Sequence, residues 1–332
     1  MEALATTLAR AMRADARVIV IGEDVAEGGP YLATKGLSEE FGRERVRNTP
    51  ISESAVCGVA VGAAQAGLRP VIEIMYIDFI TLALDPLINQ AAKAHFMSGG
   101  QLTVPMVLRT QGGASGRGAA QHSQSLEAWL IHIPGLKVVM PSNAADAAGL
   151  LLSAIADPNP VVFVENKALY FAKVQAPAEP EPIPFGLARV ARRGGDVTIL
   201  ATSRMVGESL KAADILAADG IQAEVIDLRS LVPLDRNTIS TSVQKTGRAV
   251  VAHEAVTIGG LGGELTAQIH ELAFDYLRAP IGRVGAPYMP VPLSPALEDA
   301  YRPDPEQVVQ AVRFAVAWDQ PVEQLTDAVS EL

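Results

Sequence analysis

The chain has 332 residues, 49% hydrophobic and 19% charged, which is apolar material for roughly two domains of ordinary size. Twenty-seven Lys and Arg against 37 Asp and Glu leave a formal charge of −10, which argues against nucleic acid or an anionic membrane as main partner. The one cysteine, Cys57, allows no internal disulfide and points to the cytoplasm; neither a signal peptide nor an apolar stretch long enough to span a bilayer is visible.

Strands are predicted at "RVIVIGED" from Arg17, "RPVIEIMY" from Arg69, "VPMVLRTQ" from Val104, "LKVVMPS" from Leu136 and "PVVFVEN" from Pro160. Near-continuous apolar runs of this kind belong to strands covered on both faces. Helices are predicted over residues 54–66, 79–95, 123–131 and 143–156, the last opening on a capping "PSN" with Asp146 three residues after Asn143. Strand and helix alternating in this way specify a parallel sheet with helices on both sides.

The proline-rich "AKVQAPAEPEPIPFG", residues 172–186, reads as an extended, solvated linker. The pattern then restarts with strands at "DVTILATS" from Asp196, "QAEVIDLRS" from Gln222 and "GRAVVAHEA" from Gly247, with helices over 205–218 and after "PLDRNT". The expected class is α/β with two doubly wound domains. The first spans 1–175, a linker covers 176–190, and a smaller second domain spans 191–332. No internal repeat is evident.

Within the 54–66 helix, Gly58, Gly62 and Ala66 share one face, flanked by Ala55, Val59, Ala63 and Gly67. Glycine inside a helix costs about 1 kcal/mol against alanine, so the pair implies close packing, either inside the chain or against another subunit. Glu53 opens this otherwise apolar run. As a first-turn acid it stabilises the helix by about 0.3–1 kcal/mol. The competing reading gives the carboxylate a chemical task.

The stretches "NTPISES", "PVIEIMYIDFI", "GGASGRGAAQHSQSLEAWLIHIPGLKVVMPS" and "NPVVFVEN" resemble the β subunits of the thiamine-diphosphate-dependent 2-oxo acid dehydrogenases, which include pyruvate, branched-chain and acetoin types. The likeness runs from "VIVIGEDVAEGGPY" through "HEAVTIGGLGGEL" to "PLSPALEDAYRPDPEQVV". It implies an N-terminal domain that binds the pyrimidine end of thiamine diphosphate and a transketolase-like C-terminal domain that shapes the assembly. Glu53, at the glutamate of "PISE", would then hydrogen-bond a pyrimidine nitrogen and share a proton with it.

The same resemblance assigns Phe79 to the aromatic stacked on that ring, with Ile51 and Met75 as apolar neighbours. From the residues alone, Phe79 also reads as core. His122, after the glycine-rich "GGASGRGAA", would line the active site and donate to the intermediate or to lipoamide; its plainer role is a cap for the helix near Ser123. Tyr31 in "EGGPYLATKGL" would reach the substrate, whereas His253 in "VVAHEA" is read as structural. A structural potassium ion is implied at Met106, Ala154, Asp157 and Asn159, mostly through backbone carbonyls; Pro158 leaves those oxygens free to take part.

No "GDG" magnesium motif and no Walker-type loop occurs. A diphosphate cannot be buried unaccompanied, so an α subunit is expected to supply magnesium and the rest of the site, in a two-alpha, two-beta heterotetramer. That expectation favours a subunit interface for the small-residue face. The implied activity is decarboxylation of a 2-oxo acid, pyruvate foremost, and acyl transfer to lipoamide on an acyltransferase core docked through its basic subunit-binding domain. An acetoin or branched-chain β subunit, a two-chain transketolase and a non-catalytic assembly subunit are the alternatives.

Overall fold

The computed structural model describes residues 1–172 and 179–318. Residues 173–178, shared between the expected first domain and linker, and residues 319–332 of the expected second domain lie outside the described residues. Two compact units are present: Met1–Gly186 with Ser230–Pro233, and the remainder, beginning at Leu187. The strands in chain order are β1 (Val18–Gly22), β2 (Val46–Asn48), β3 (Arg69–Ile74), β4 (Val107–Gly112), β5 (Lys137–Val139), β6 (Val161–Asn166), β7 (Arg189–Arg192), β8 (Val197–Ala201), β9 (Ala223–Asp227), β10 (Ser230–Val232), β11 (Ala249–Val256) and β12 (Gly282–Ala286).

The first unit is built on a sheet of order β10-β5-β6-β4-β3-β1-β2. Every pairing is parallel except β10 with β5. All residues of β1, β4 and β6 are buried, the apolar ones as expected and the polar ones, such as Arg109 and Glu165, as exceptions that need partners. Helix Glu2–Ala14 turns Leu4, Leu8 and Met12 inward and packs on helix Ala144–Ala156. That second helix is capped by the Asn143 side chain, which accepts from the Asp146 amide at 2.9 Å. Helix Glu53–Gln65 packs on β3 and on the segment that follows it.

Three predicted elements differ from those observed. The helix expected over 79–95 is instead a 3₁₀ stretch, Ile77–Ala83, a π turn, Pro86–Ala91, and a short α-helix, Ala92–Met97. Pro86 removes an amide donor in the middle of that run, so one regular ladder cannot cross it. The helix expected from 123 starts at Glu127, because Ser123 and Gln124 are held by Lys167 and Asp78. The strand expected from Gln222 breaks after Asp227: Arg229 takes a positive φ of 57°, and Ser230–Val232 joins the first unit's sheet.

The second unit is a five-stranded sheet of order β12-β11-β8-β9-β7, parallel except for β7 with β9. Val197, Ile199, Val250 and Val308 are fully buried in its core. Two of its helices begin at side-chain caps: Asp235 accepts from the Thr238 amide at 3.0 Å, and Asp304 with Gln307 forms a capping box. The chain therefore folds as two α/β domains with parallel-dominated sheets. Among the described residues, no helix is long and apolar enough to cross a membrane.

Candidate active site

In a parallel sheet the strands all end on one edge, and the loops that gather there are where ligands are met. On this edge of the first unit, β1 leads to Tyr31, β2 to Glu53, β3 to Met75, Tyr76 and Phe79, β4 to the His122 loop, and β6 to Lys167 and Tyr170.

Glu53 is the first residue of its helix and is only 7% exposed. Among the described residues, no hydrogen bond or ion pair reaches its carboxylate. Burial, helped by the charge of Glu53, raises the Glu23 carboxyl above the usual range. A carboxylate on a residue so largely buried gains from a donor that something outside the chain supplies. The orphaned acid therefore fits a cofactor that brings its own nitrogen. Behind it, Gly58 and Gly62 face open space, with nothing within 4 Å of where a Cβ would stand, and Val59 is 60% exposed. Among the described residues the small-residue face is unpacked, which favours the subunit-interface reading.

Phe79 and His122 come together. Their ring centroids lie 5.3 Å apart, edge to face, and Tyr76 meets the same imidazole at 5.3 Å from another direction. Tyr31 joins through Tyr76, at 6.1 Å, and stacks on Tyr170 at 4.7 Å. Burial, with a hydrogen bond to Tyr76, pushes the Tyr31 phenol well above its ordinary range. The His122 turn closes tightly over Gly118, where a Cβ would stand 2.6 Å from Ser123 Oγ and 2.8 Å from the His122 carbonyl oxygen. Asp78 ties this loop to the 3₁₀ stretch by accepting from the Gln124 side chain at 2.9 Å. Met75 is half-buried at the end of β3, whereas Ile51 is 80% exposed.

Under the aromatic residues lies an ionic cluster that the sequence reading did not single out. Arg109 on β4 is fully buried and donates to Glu73 on β3 at 2.7 Å and to both oxygens of Glu165 on β6 at 2.7 and 2.9 Å. Gln111 adds a bond to Glu73 at 3.2 Å, and the Tyr170 hydroxyl donates to Glu165. Burial opposes the charge on Arg109, but Glu165 and Glu73 outweigh it and move the guanidinium further up. Burial also raises the Glu73 carboxyl despite Arg109. The signal was present: each of these charges follows an apolar stretch in a strand, as Glu53 precedes one in a helix.

The four residues assigned to potassium lie at the opposite, amino edge of the sheet. Met106 precedes β4 and accepts from the Val161 amide at 3.0 Å; the Ala154 carbonyl accepts from the Asp157 amide at 3.3 Å. The Asp157 carboxylate binds Lys137 and the Asn159 amide, the latter at 2.8 Å. The donor set is all oxygen and suits a hard cation. With the carboxylate already engaged, backbone carbonyls would be the ligands. Among the described residues, no group of three or more His, Cys, Asp or Glu side chains is arranged to hold a metal ion.

Residues 1–173 match the transketolase pyrimidine binding domain, and residues 186–308 the transketolase C-terminal domain. Over 313 residues the chain is 48% identical to the pyruvate dehydrogenase E1 component subunit beta of Rickettsia conorii, covering 94% of this chain and 96% of that one. It is 46% identical over 321 residues to the acetoin:2,6-dichlorophenolindophenol oxidoreductase subunit beta of Bacillus subtilis, covering 93% and 94%. A solved split-gene transketolase, described as an inactive beta4 tetramer, superposes with a TM-score of 0.79 at 25% identity, over 96% of this chain and 98% of that one. The transketolase of Leishmania mexicana superposes at 0.73 and 18% identity over 96% of this chain and 46% of its own, a likeness of fold alone.

Proposed function

Because the chain belongs to the β-subunit family of the thiamine-diphosphate-dependent 2-oxo acid dehydrogenases, we propose that it is one half of an enzyme that decarboxylates a 2-oxo acid, pyruvate foremost, and delivers the acyl group to lipoamide. The observation that carries this reading is Glu53, a residue only 7% exposed at the carboxyl edge of a parallel sheet, whose carboxylate has no donor among the described residues. Thiamine diphosphate, when bound, supplies the electron sink that decarboxylation needs.

The protein's part is position and proton control. Glu53 holds a proton at the pyrimidine ring nitrogen, and the walls around it exclude water so that the hydrogen bond stays strong. Phe79 offers its ring to the pyrimidine, with Met75 and Ile51 beside it; the exposure of Ile51 suits a residue completed by a second subunit. His122, walled by Phe79 and Tyr76, donates a hydrogen bond or proton to substrate or lipoamide, and Tyr31, in contact with Tyr76, reaches toward the substrate.

The α subunit supplies magnesium and grips the diphosphate, in a two-alpha, two-beta assembly in which the open Gly58–Gly62 face meets a neighbouring subunit. Backbone carbonyls near Met106, Ala154, Asp157 and Asn159 would hold a potassium ion, which would brace the far edge of the sheet. The formal charge of −10 suits docking to a basic domain of the acyltransferase core. The one cysteine, Cys57, is free and buried, as a reducing compartment permits, and the cytoplasm is the proposed setting.

Co-expression with its α subunit and measurement of carbon dioxide release from pyruvate and branched-chain 2-oxo acids tests the reading. Release from pyruvate, with little from the branched-chain acids, is expected. The Bacillus subtilis relative motivates a second reading, acetoin cleavage. Aldehyde formation from acetoin without carbon dioxide release from pyruvate would select it.

A further inference from the structure

Lys167 follows β6 directly and opens the 3₁₀ turn Lys167–Leu169, which the Asn166 side chain fixes by accepting from the Ala168 amide at 3.0 Å. Although it is a lysine, the residue is 4% exposed. Its ammonium donates to the His122 carbonyl oxygen and to Ser123 Oγ at 3.2 Å, and it lies 5.2 Å from the centroid of the Tyr76 ring. Tyr76 in turn walls the imidazole at 5.3 Å. One cation thus grips the backbone at His122, the next side chain along, and one of the two rings that frame the imidazole.

Burying an ammonium is expensive, so its ligands must be well placed to offset the loss of water. The loop it grips needs such an anchor. Arg117 and Ala119 both take positive φ, 62° and 55°, a region that non-glycine residues enter only when their surroundings impose it. Polar contacts from β6 and the 3₁₀ stretch Ile77–Ala83 supply that constraint: Lys167 from one side, Asp78 through Gln124 from the other.

We propose that Lys167 is a positioning residue: it holds the His122 imidazole in its working place between Phe79 and Tyr76. The proposal rests on the reading of His122 as an active-site group. The test is a double-mutant cycle on the α-complemented enzyme with the 2-oxo acid substrate. Lys167→Met lowers kcat by about 10- to 100-fold, the scale of a misplaced catalytic group, with KM little changed. Lys167→Arg, which keeps the charge and the donors, recovers most of the loss.

In a His122→Ala background the Lys167→Met substitution should have no further effect, because groups that act through one another are non-additive. A purely structural lysine would instead lower kcat by the same factor in both backgrounds, and that result overturns the proposal. So does an unchanged kcat in Lys167→Met while His122→Ala remains impaired. A harmless His122→Ala would instead remove the underlying reading of His122. Should Lys167→Met fail to assemble with the α subunit, Lys167→Gln, which keeps a donor for the His122 carbonyl without the charge, goes through the same cycle.

Discussion

Glu53 is 7% exposed and Glu73 is 3% exposed, and both belong to the first unit. Glu73 receives Arg109 at 2.7 Å and Gln111 at 3.2 Å, while no donor of the described chain reaches Glu53. The chain evidently has the means to satisfy a buried acid, since it does so for Glu73 and Glu165 with one guanidinium, an amide and a phenol. A carboxylate left out of such provision in the same domain is a carboxylate kept available. Pairing marks the acids that hold the sheet together, and the lack of it leaves Glu53 open to the ligand proposed for it.

Substitutions can break that contrast, beginning with the largest effect. Glu53→Gln should reduce turnover with the α subunit by about 10²- to 10⁴-fold, the range of acid–base catalysis. Urea unfolding should find its stability unchanged or raised, since a buried charge without a partner is removed. A mutant that keeps full turnover, or one that loses both stability and turnover, would erase the distinction. Arg109→Met should behave in the opposite sense. It strands two carboxylates in the sheet and should cost about 3–5 kcal/mol in the same unfolding measurement.

Tyr170→Phe takes a single hydroxyl from Glu165 and should cost about 1.5–3 kcal/mol, read as a lower denaturation midpoint with the slope unchanged. The smallest effect belongs to a carboxylate that is paired but partly exposed. The Arg17 guanidinium holds the Asp15 carboxyl at about 2, below its ordinary 3.8. A depressed pKa stabilises the fold above the ordinary value, and that contribution fades as the pH falls through about 2. Asp15→Asn should therefore cost under about 1 kcal/mol at neutral pH and converge with the parent near pH 2, as unfolding curves across that range would register.

The sheets were legible because a strand buried on both faces is mostly apolar: β1 is so throughout, and β3, β4 and β6 carry apolar stretches ahead of the charges they bury. The segment from Ile77 to Met97 was not legible as three different helical windings, because apolar spacing alone does not show where Pro86 breaks the hydrogen-bond ladder. Glu53 was readable as an acid out of place in an apolar helix. Arg109 was harder to read, because its partners stand 36 and 56 residues away and only the strand order makes them neighbours. Lys167 was missed for the same reason: its ligands on the His122 turn are 45 and 44 residues distant, and a lysine after a strand looks like surface.

The strand β10 is contributed to the seven-stranded sheet by a four-residue return of the chain, Ser230–Pro233, from deep within its second half. Severing the polypeptide after residue 186 would strip that cover from β5, whose bare backbone groups would then invite pairing with any passing strand. Chimeras that exchange amino- and carboxyl-terminal halves between relatives will be soluble only when those four residues match the sheet they complete.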